Sequence, residues 1–165
     1  MVYLVGFGYA KPIRTDARYF NNPKRDSAIV AFAGPFSNLI VALVASLFYN
    51  LIYFIAVVSH VSNAGVLTFM IVLRTIFYYV SIISISLALY NLLPIPPLDG
   101  SKVVGAFLSD RAYYKYMQYE RYFMIFFLFI LVAGTGFTNV LSRLILFVYN
   151  CFDALTALPF NLILG

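Results

Sequence analysis

The segment with the most chemical content reads Asn91-Leu92-Leu93-Pro94-Ile95-Pro96-Pro97-Leu98-Asp99-Gly100. Three prolines and a glycine there prevent a regular helix, because proline lacks an N–H and clashes with the preceding turn. The segment directly follows a long apolar run. Irregular backbone at membrane depth is tolerated only where protein or a water-filled cavity surrounds it. Asp99 is one of only six acidic residues in the chain. An intramembrane carboxylate costs about 2.5–3.5 kcal/mol at the bilayer centre, so something must offset it. A basic side chain, a proton, a water-lined pocket or a metal ion would serve. Lys102 lies three residues on, and a local ion pair is the plain reading. An ion pair does not need the prolines, whereas an aimed metal ligand gains from a rigid approach followed by a helix start.

The remaining chemistry-bearing residues are sparse. His60 is the only histidine and Cys151 the only cysteine. Cys151 excludes an intrachain disulfide and a Cys-rich metal site. His60 stands in the polar group Ser59-His60-Val61-Ser62-Asn63 and reads as a loop residue. Arg74 interrupts an apolar run. Snorkelling to the outer interface is one reading, and a role in binding a substrate or partner is the other.

The elements that must position these residues are membrane spans. Hydrophobic residues make up 63% and charged residues 10% of the chain, against about 25% charged in a soluble domain. The mean hydropathy is +0.91. The expectation is an all-α, polytopic integral membrane protein, short enough to be one domain, with about three to four transmembrane helices and a Pro-broken helix at the Asp-Gly motif. The net charge of +5 reads as basic flanks of spans and implies no nucleic-acid partner.

Residues 1–26 form a basic cytoplasmic lead-in, in which Pro12, Pro23 and Asn21-Asn22 read as turns and residues 1–9 as an extended stretch. The beginning of the chain is too short and too poor in basic residues to read as a signal peptide. Residues 28–58 are uncharged and exceed the roughly 20 needed to span a bilayer. That run is expected to tilt or break, and Gly34-Pro35 marks a kink. A polar turn leads to a second span at 66–90. Residues 91–121 hold the Pro-Asp-Gly break and a second basic segment, whose Tyr113, Tyr114, Tyr116 and Tyr119 read as an interfacial belt. Residues 122–158 form an apolar tail, either one span with an interfacial piece or a tight helical hairpin. No internal repeat is visible.

Both basic clusters flank the same ends of the two spans, and the turn between the spans has no Lys or Arg. The positive-inside rule then places both clusters in the cytoplasm. Asn38 lies on the order of 15–20 Å along a helix from Arg25. The Pro-Asp-Gly break returns to the same side, so Asn38 and Asp99 are expected to converge at similar depth around a cavity.

Here a resemblance becomes specific. Asn91, Pro94, Pro96, Asp99 and Gly100 have the spacing of a signature of the site-2 protease family of intramembrane zinc metalloproteases. Upstream, Phe7-Gly8-Tyr9-Ala10-Lys11-Pro12-Ile13-Arg14, then Asn22-Pro23-Lys24-Arg25, then Ala33-Gly34-Pro35-Phe36-Ser37-Asn38 resemble further elements of the short bacterial members, in the same order. The resemblance covers about residues 6–105. It implies a zinc cofactor held by the two histidines of a His-Glu-x-x-His helix and by the Asp-Gly aspartate, Asp99. Zinc would lower the pKa of its bound water and polarise the scissile carbonyl. Asn38 and Asn91 would position substrate or the developing oxyanion. Interhelical hydrogen bonding is their alternative role. The implied substrates are membrane-spanning proteins or peptides. The implied location is a bacterial cell membrane with the active-site side cytoplasmic, and a homo-oligomer stays open.

This chain contains no His-Glu-x-x-His, and one carboxylate is not a catalytic zinc site. In the family that helix precedes the Phe-Gly element. The expectation is therefore an N-terminally truncated protease, inactive alone. A pseudoprotease or membrane scaffold that binds helices in the same cleft is the alternative. A transporter or channel subunit is a third reading, disfavoured because Gly34-Pro35 and the Pro94–Pro97 break lack matching flanks. On the charge argument, cysteine labelling from outside modifies a probe at Asn63 and spares probes at Asn22 and Tyr114. Outside labelling at Asn22 would reverse the assigned orientation.

Overall fold

The computed structural model describes residues 22–96 and 98–164. The expected turn at Pro12 and the extended stretch over residues 1–9 lie outside them. All regular elements described are helices: α1 (Pro23–Val58), α2 (Ala64–Leu92), α3 (Asp99–Phe107), α4 (Asp110–Gln118), α5 (Glu120–Ala133) and α6 (Thr135–Leu164). Three stretches, Lys24–Val58, Ala64–Leu92 and Gly136–Ile163, are long and apolar enough to cross a membrane. The chain is an all-α polytopic membrane protein. The tail resolves into α5, at 14 residues short of a full span, and α6, at 30 residues long enough for one. Gly134 separates them.

Asn22-Pro23 is a helix start and not a turn. Asn22 has extended backbone and its side chain accepts from the Arg25 N–H. Pro23 takes the first helical position, where a missing N–H costs nothing. The helix then continues through Pro35 to Val58 without ending. Asn63 caps α2 in the same way, accepting from the N–H groups of Gly65 and Val66. His60, in the turn between α1 and α2, has a φ of 45°, the left-handed conformation that a non-glycine residue adopts in tight turns.

Without water to drive association, membrane helices pack by close approach of small residues. In α2 the buried positions are Ser81, Ser84, Ile85 and Ala88, one face at helical spacing. In α1 they include Ala42, Ala45 and Ser46. The Ser81 hydroxyl donates to the Ala42 carbonyl at 3.0 Å, a measure of how close the two backbones come. Helix α6 closes the bundle. Tyr149 joins Ala42 and Ile85 in the core and meets Tyr78 edge-on, centroids 5.1 Å apart. Further along, Asn50 Nδ2 donates to Asp153 Oδ1 at 3.0 Å and to Thr156 Oγ1 at 2.9 Å. The rings of Phe54 and Phe160 meet at a tilt, centroids 5.2 Å apart. Contacts that advance together along α1 and α6 make these two helices parallel, with α2 running against both.

The break between α2 and α3 is closed by short turns. The N–H groups of Leu93, Ile95 and Leu98 donate to the carbonyls of Tyr90, Leu93 and Ile95. The Pro94 carbonyl accepts from the Tyr116 hydroxyl. Gly100 is required here, because a Cβ on it would lie 2.3 Å from the Leu92 oxygen and 2.4 Å from that of Leu93. Of the expected tyrosine belt, Tyr113 and Tyr116 turn inward, the former beneath Gly105, while Tyr114 and Tyr119 stay exposed.

Two predictions follow from these contacts. Gly100→Ala forces backbone apart and destabilises by the upper end of the ~1–3 kcal/mol typical of overpacking. A thermal melt in detergent checks it, and an unchanged midpoint would show that α3 can retreat freely. The second concerns Lys24, which pairs with Asp110 and donates to the Leu108 carbonyl at 3.1 Å, tying the start of α1 to the α3–α4 turn. Its hydrogen bond and its charge hold the Asp110 carboxyl below the ordinary value of 3.8. A lowered folded-state pKa means stability that is present above the unfolded value and lost as pH falls through the folded one. Between pH 5 and pH 2 the melting midpoint of the wild type therefore falls slightly more than that of Asp110→Asn. The difference is small because the aspartate is exposed.

Candidate functional site

Asp99 is the first residue of α3, and the break delivers it there. The Leu98 backbone is extended with φ −66° and ψ 155°, so the chain enters the helix directly from the proline-rich approach. The Ser101 N–H and hydroxyl both bond the Leu98 carbonyl, at 3.0 Å and 2.6 Å, and lock this first turn. The carboxylate is thereby aimed at α1. Its Oδ2 lies 3.9 Å from where a Cβ of Gly34 would stand, so the glycine leaves open space beside it. Pro35, next to Gly34, is fully buried.

The other carboxylate oxygen, Oδ1, accepts from Lys102 Nζ at 3.0 Å. The local ion pair expected from the three-residue spacing is therefore formed. Both side chains keep solvent access, Lys102 at 47% and Asp99 at 36%, so the lysine can leave when a stronger partner arrives. Beside it lies a cavity of about 170 Å³ lined by Lys24, Ser27, Lys102, Gly105, Ala106 and Tyr113.

Asn38 stands one helical turn beyond Gly34 on the same face of α1 and is half-buried. Asn91 is half-buried in the last turn of α2, next to Leu92, whose carbonyl abuts Gly100. Neither amide side chain has a hydrogen-bond partner among the described residues. The structure thus brings Asp99 to the Gly34 end of the Gly34–Asn38 stretch and sets Asn91 at the entrance to the break.

Among the described residues no three of His, Cys, Asp and Glu come together in a way that could hold a metal ion. His60 lies past the end of α1, roughly 40 Å along the helix from Gly34. Cys151 is exposed on α6. A catalytic zinc takes three protein ligands, and Asp99 fits as one. The described residues do not complete the set.

Two polar groupings escaped the sequence reading. One is Asn50 with Asp153 and Thr156, described above. Its signal is Asp153, an acid inside an apolar run, but nothing along α6 points to Asn50 on α1 as its partner. The other surrounds Arg74. Its guanidinium lies over the rings of Tyr49 and Tyr53, with centroids at 4.1 Å and 4.8 Å. No spacing within α2 could reveal partners that lie on α1.

Sequence comparison relates the chain to known proteins. The chain is 32% identical over 137 residues to a protein of Bacillus subtilis (strain 168) described as "Putative zinc metalloprotease YwhC". The match covers 82% of this chain and 59% of that relative, so the chain spans about three-fifths of the relative's length. No solved structure matches. Residues 2–134, which include the Gly34–Asn38 stretch, the proline break and Asp99, match Peptidase family M50, and the chain belongs to that family, the site-2 protease family of membrane zinc metalloproteases.

Proposed function

We propose that this chain supplies the Asp-Gly part of a zinc-dependent intramembrane peptidase, which cleaves peptide bonds in or near the membrane-spanning segments of other proteins. Asp99 is one metal ligand. Asn38 and Asn91 position the substrate backbone. The observation that carries the reading is the Asp99 carboxylate, aimed by a proline-rich approach at a glycine on another span. Two amide side chains without hydrogen-bond partners among the described residues support a substrate-positioning role, because each keeps donor and acceptor capacity for a peptide. The remaining ligands come from a His-Glu-x-x-His helix, a motif this sequence does not contain, and the chain alone is inactive. The site opens toward the cytoplasmic side of a bacterial cell membrane, as the basic clusters argue.

The lack of a His-Glu-x-x-His in this sequence motivates one second reading, a pseudoprotease that binds transmembrane helices in the same cleft without cutting them. The two separate on activity. Joined to a His-Glu-x-x-His helix, the chain binds zinc stoichiometrically and cleaves a single-span reporter, and without that helix it binds substoichiometrically. Loss of an outer-shell partner of a metal site costs about 10–100-fold, so Asp99→Ala lowers cleavage by at least about 100-fold and weakens zinc binding. An Asp99→Ala variant that still cleaves removes Asp99 from the chemistry. Stoichiometric zinc in the isolated chain refutes the ligand count.

A further inference from the structure

Between Arg25 and Lys102 the sequence holds one Lys or Arg, Arg74. It lies in α2, ten residues from the end opposite the proline break, or roughly 15 Å along the helix. Helix α2 has 29 residues and exceeds the ~30 Å hydrocarbon thickness by roughly 14 Å. If the excess is shared between the two ends, the Arg74 backbone sits about 8 Å below the far membrane surface. Side chains on a helix lean toward its N-terminus, which in α2 is that surface. A side chain as long as arginine reaches the headgroup boundary from there.

The surroundings of Arg74 are half of a binding site. Tyr49 and Tyr53 offer their ring faces to the guanidinium, an attraction that takes up none of its N–H groups. The Nε is shut off from solvent and has no hydrogen-bond partner among the described residues. Neither ion pair found among those residues involves Arg74. The one carboxylate within α6, Asp153, is engaged by Asn50. A cavity of about 390 Å³ opens beside the cation, lined by Tyr49, Ile71, Arg74, Thr75, Tyr78 and Tyr79. Its rim is turned outward from the bundle, with Ile71 64% and Tyr79 57% exposed. An arginine whose N–H groups are unspent, lining a cavity open on the outer face of the bundle, is complementary to phosphate oxygens.

We propose that Arg74 and the tyrosines around it form a binding site for the phosphate group of a phospholipid in the leaflet opposite the proline break. The lipid enters from the side, its acyl chains lying on the apolar surface of α2 and its phosphate accepting from the guanidinium edge. The site is separate from Asp99 and stands whether or not the peptidase reading holds.

Native mass spectrometry of the delipidated protein tests this with three probes: dihexanoyl phosphatidylglycerol, dihexanoylglycerol and inorganic phosphate. The wild type retains one phosphatidylglycerol per chain, and binds dihexanoylglycerol and inorganic phosphate at least tenfold more weakly. Arg74→Gln lowers phosphatidylglycerol affinity at least tenfold. Ile71→Trp, which fills the cavity from its exposed rim and leaves the cation and the tyrosines in place, does the same with unchanged far-UV circular dichroism. That second variant decides the matter if Arg74→Gln does not fold. Equal retention of dihexanoylglycerol overturns the proposal, as does undiminished binding in Ile71→Trp. Inorganic phosphate binding as tightly as the lipid reassigns the site to a free oxyanion and also overturns it. So does tighter, Arg74-dependent binding of a single-span peptide ending in a free carboxylate.

Discussion

Everything around Asp99 depends on closing the hydrogen bonds of a backbone that leaves the helix at a proline-rich break. Prolines remove donors and keep acceptors, so a proline-rich break has more carbonyls than its own N–H groups can satisfy. The chain answers locally with short turns from Leu93 to Ser101, and at a distance with the Tyr116 hydroxyl on the Pro94 carbonyl. These bonds fix where α3 begins. Because α3 begins at Asp99, they also fix the carboxylate. Gly100 lets the new helix come within contact of the last carbonyls of α2, and Gly34 leaves room on the opposing span. The Asp-Gly pair and the Gly-Pro pair are thus two sides of one fit.

The polar content of the bundle falls into sectors at different depths. Asp99, Lys102 and the Lys24-lined cavity belong to the end where α1 starts and α2 finishes. Arg74 belongs to the other half, and Asn50, Asp153 and Thr156 lie between α1 and α6. Each sector offsets its desolvation differently. Asp99 uses a solvent-accessible lysine, Asp153 accepts from an amide, and Arg74 has two ring faces. Only the first and third keep bonding capacity directed at something outside the bundle. The Asn50 group is nearly closed on itself and acts as interhelical glue.

The spans were legible because an uncharged run longer than a bilayer has few alternatives, and the break was legible because proline punctuates so strongly. Where the reading slipped, the cause was tertiary. Pro23 reads as a turn until Asn22 is seen to cap the helix that Pro23 opens. Tyr113 and Tyr116 read as interface anchors until α4 folds back and gives them partners on α3 and on the break. The tail left a span and a hairpin both open, and a single residue, Gly134, decides where α5 yields to α6. At the site, the sequence identified Asp99 and its lysine, since that pair is three residues apart. It carried no sign of which glycine the second carboxylate oxygen would meet. Contacts between different spans are invisible to spacing along one of them.

The Asn50 network also imposes an order on assembly. Asn50 is buried in α1, yet its partners Asp153 and Thr156 lie 103 and 106 residues further along the chain. Contacts within the α1–α2 hairpin, such as Ser81 to Ala42 at a separation of 39, close a far shorter loop and so form earlier. Until α6 is inserted, the Asn50 amide has only the Ser46 carbonyl of its own helix, at 3.3 Å. A nascent α1–α2 pair therefore exposes an under-bonded amide to lipid, and the arrival of α6 resolves it. That sequence of events makes the last helix the one that commits the bundle to its final form.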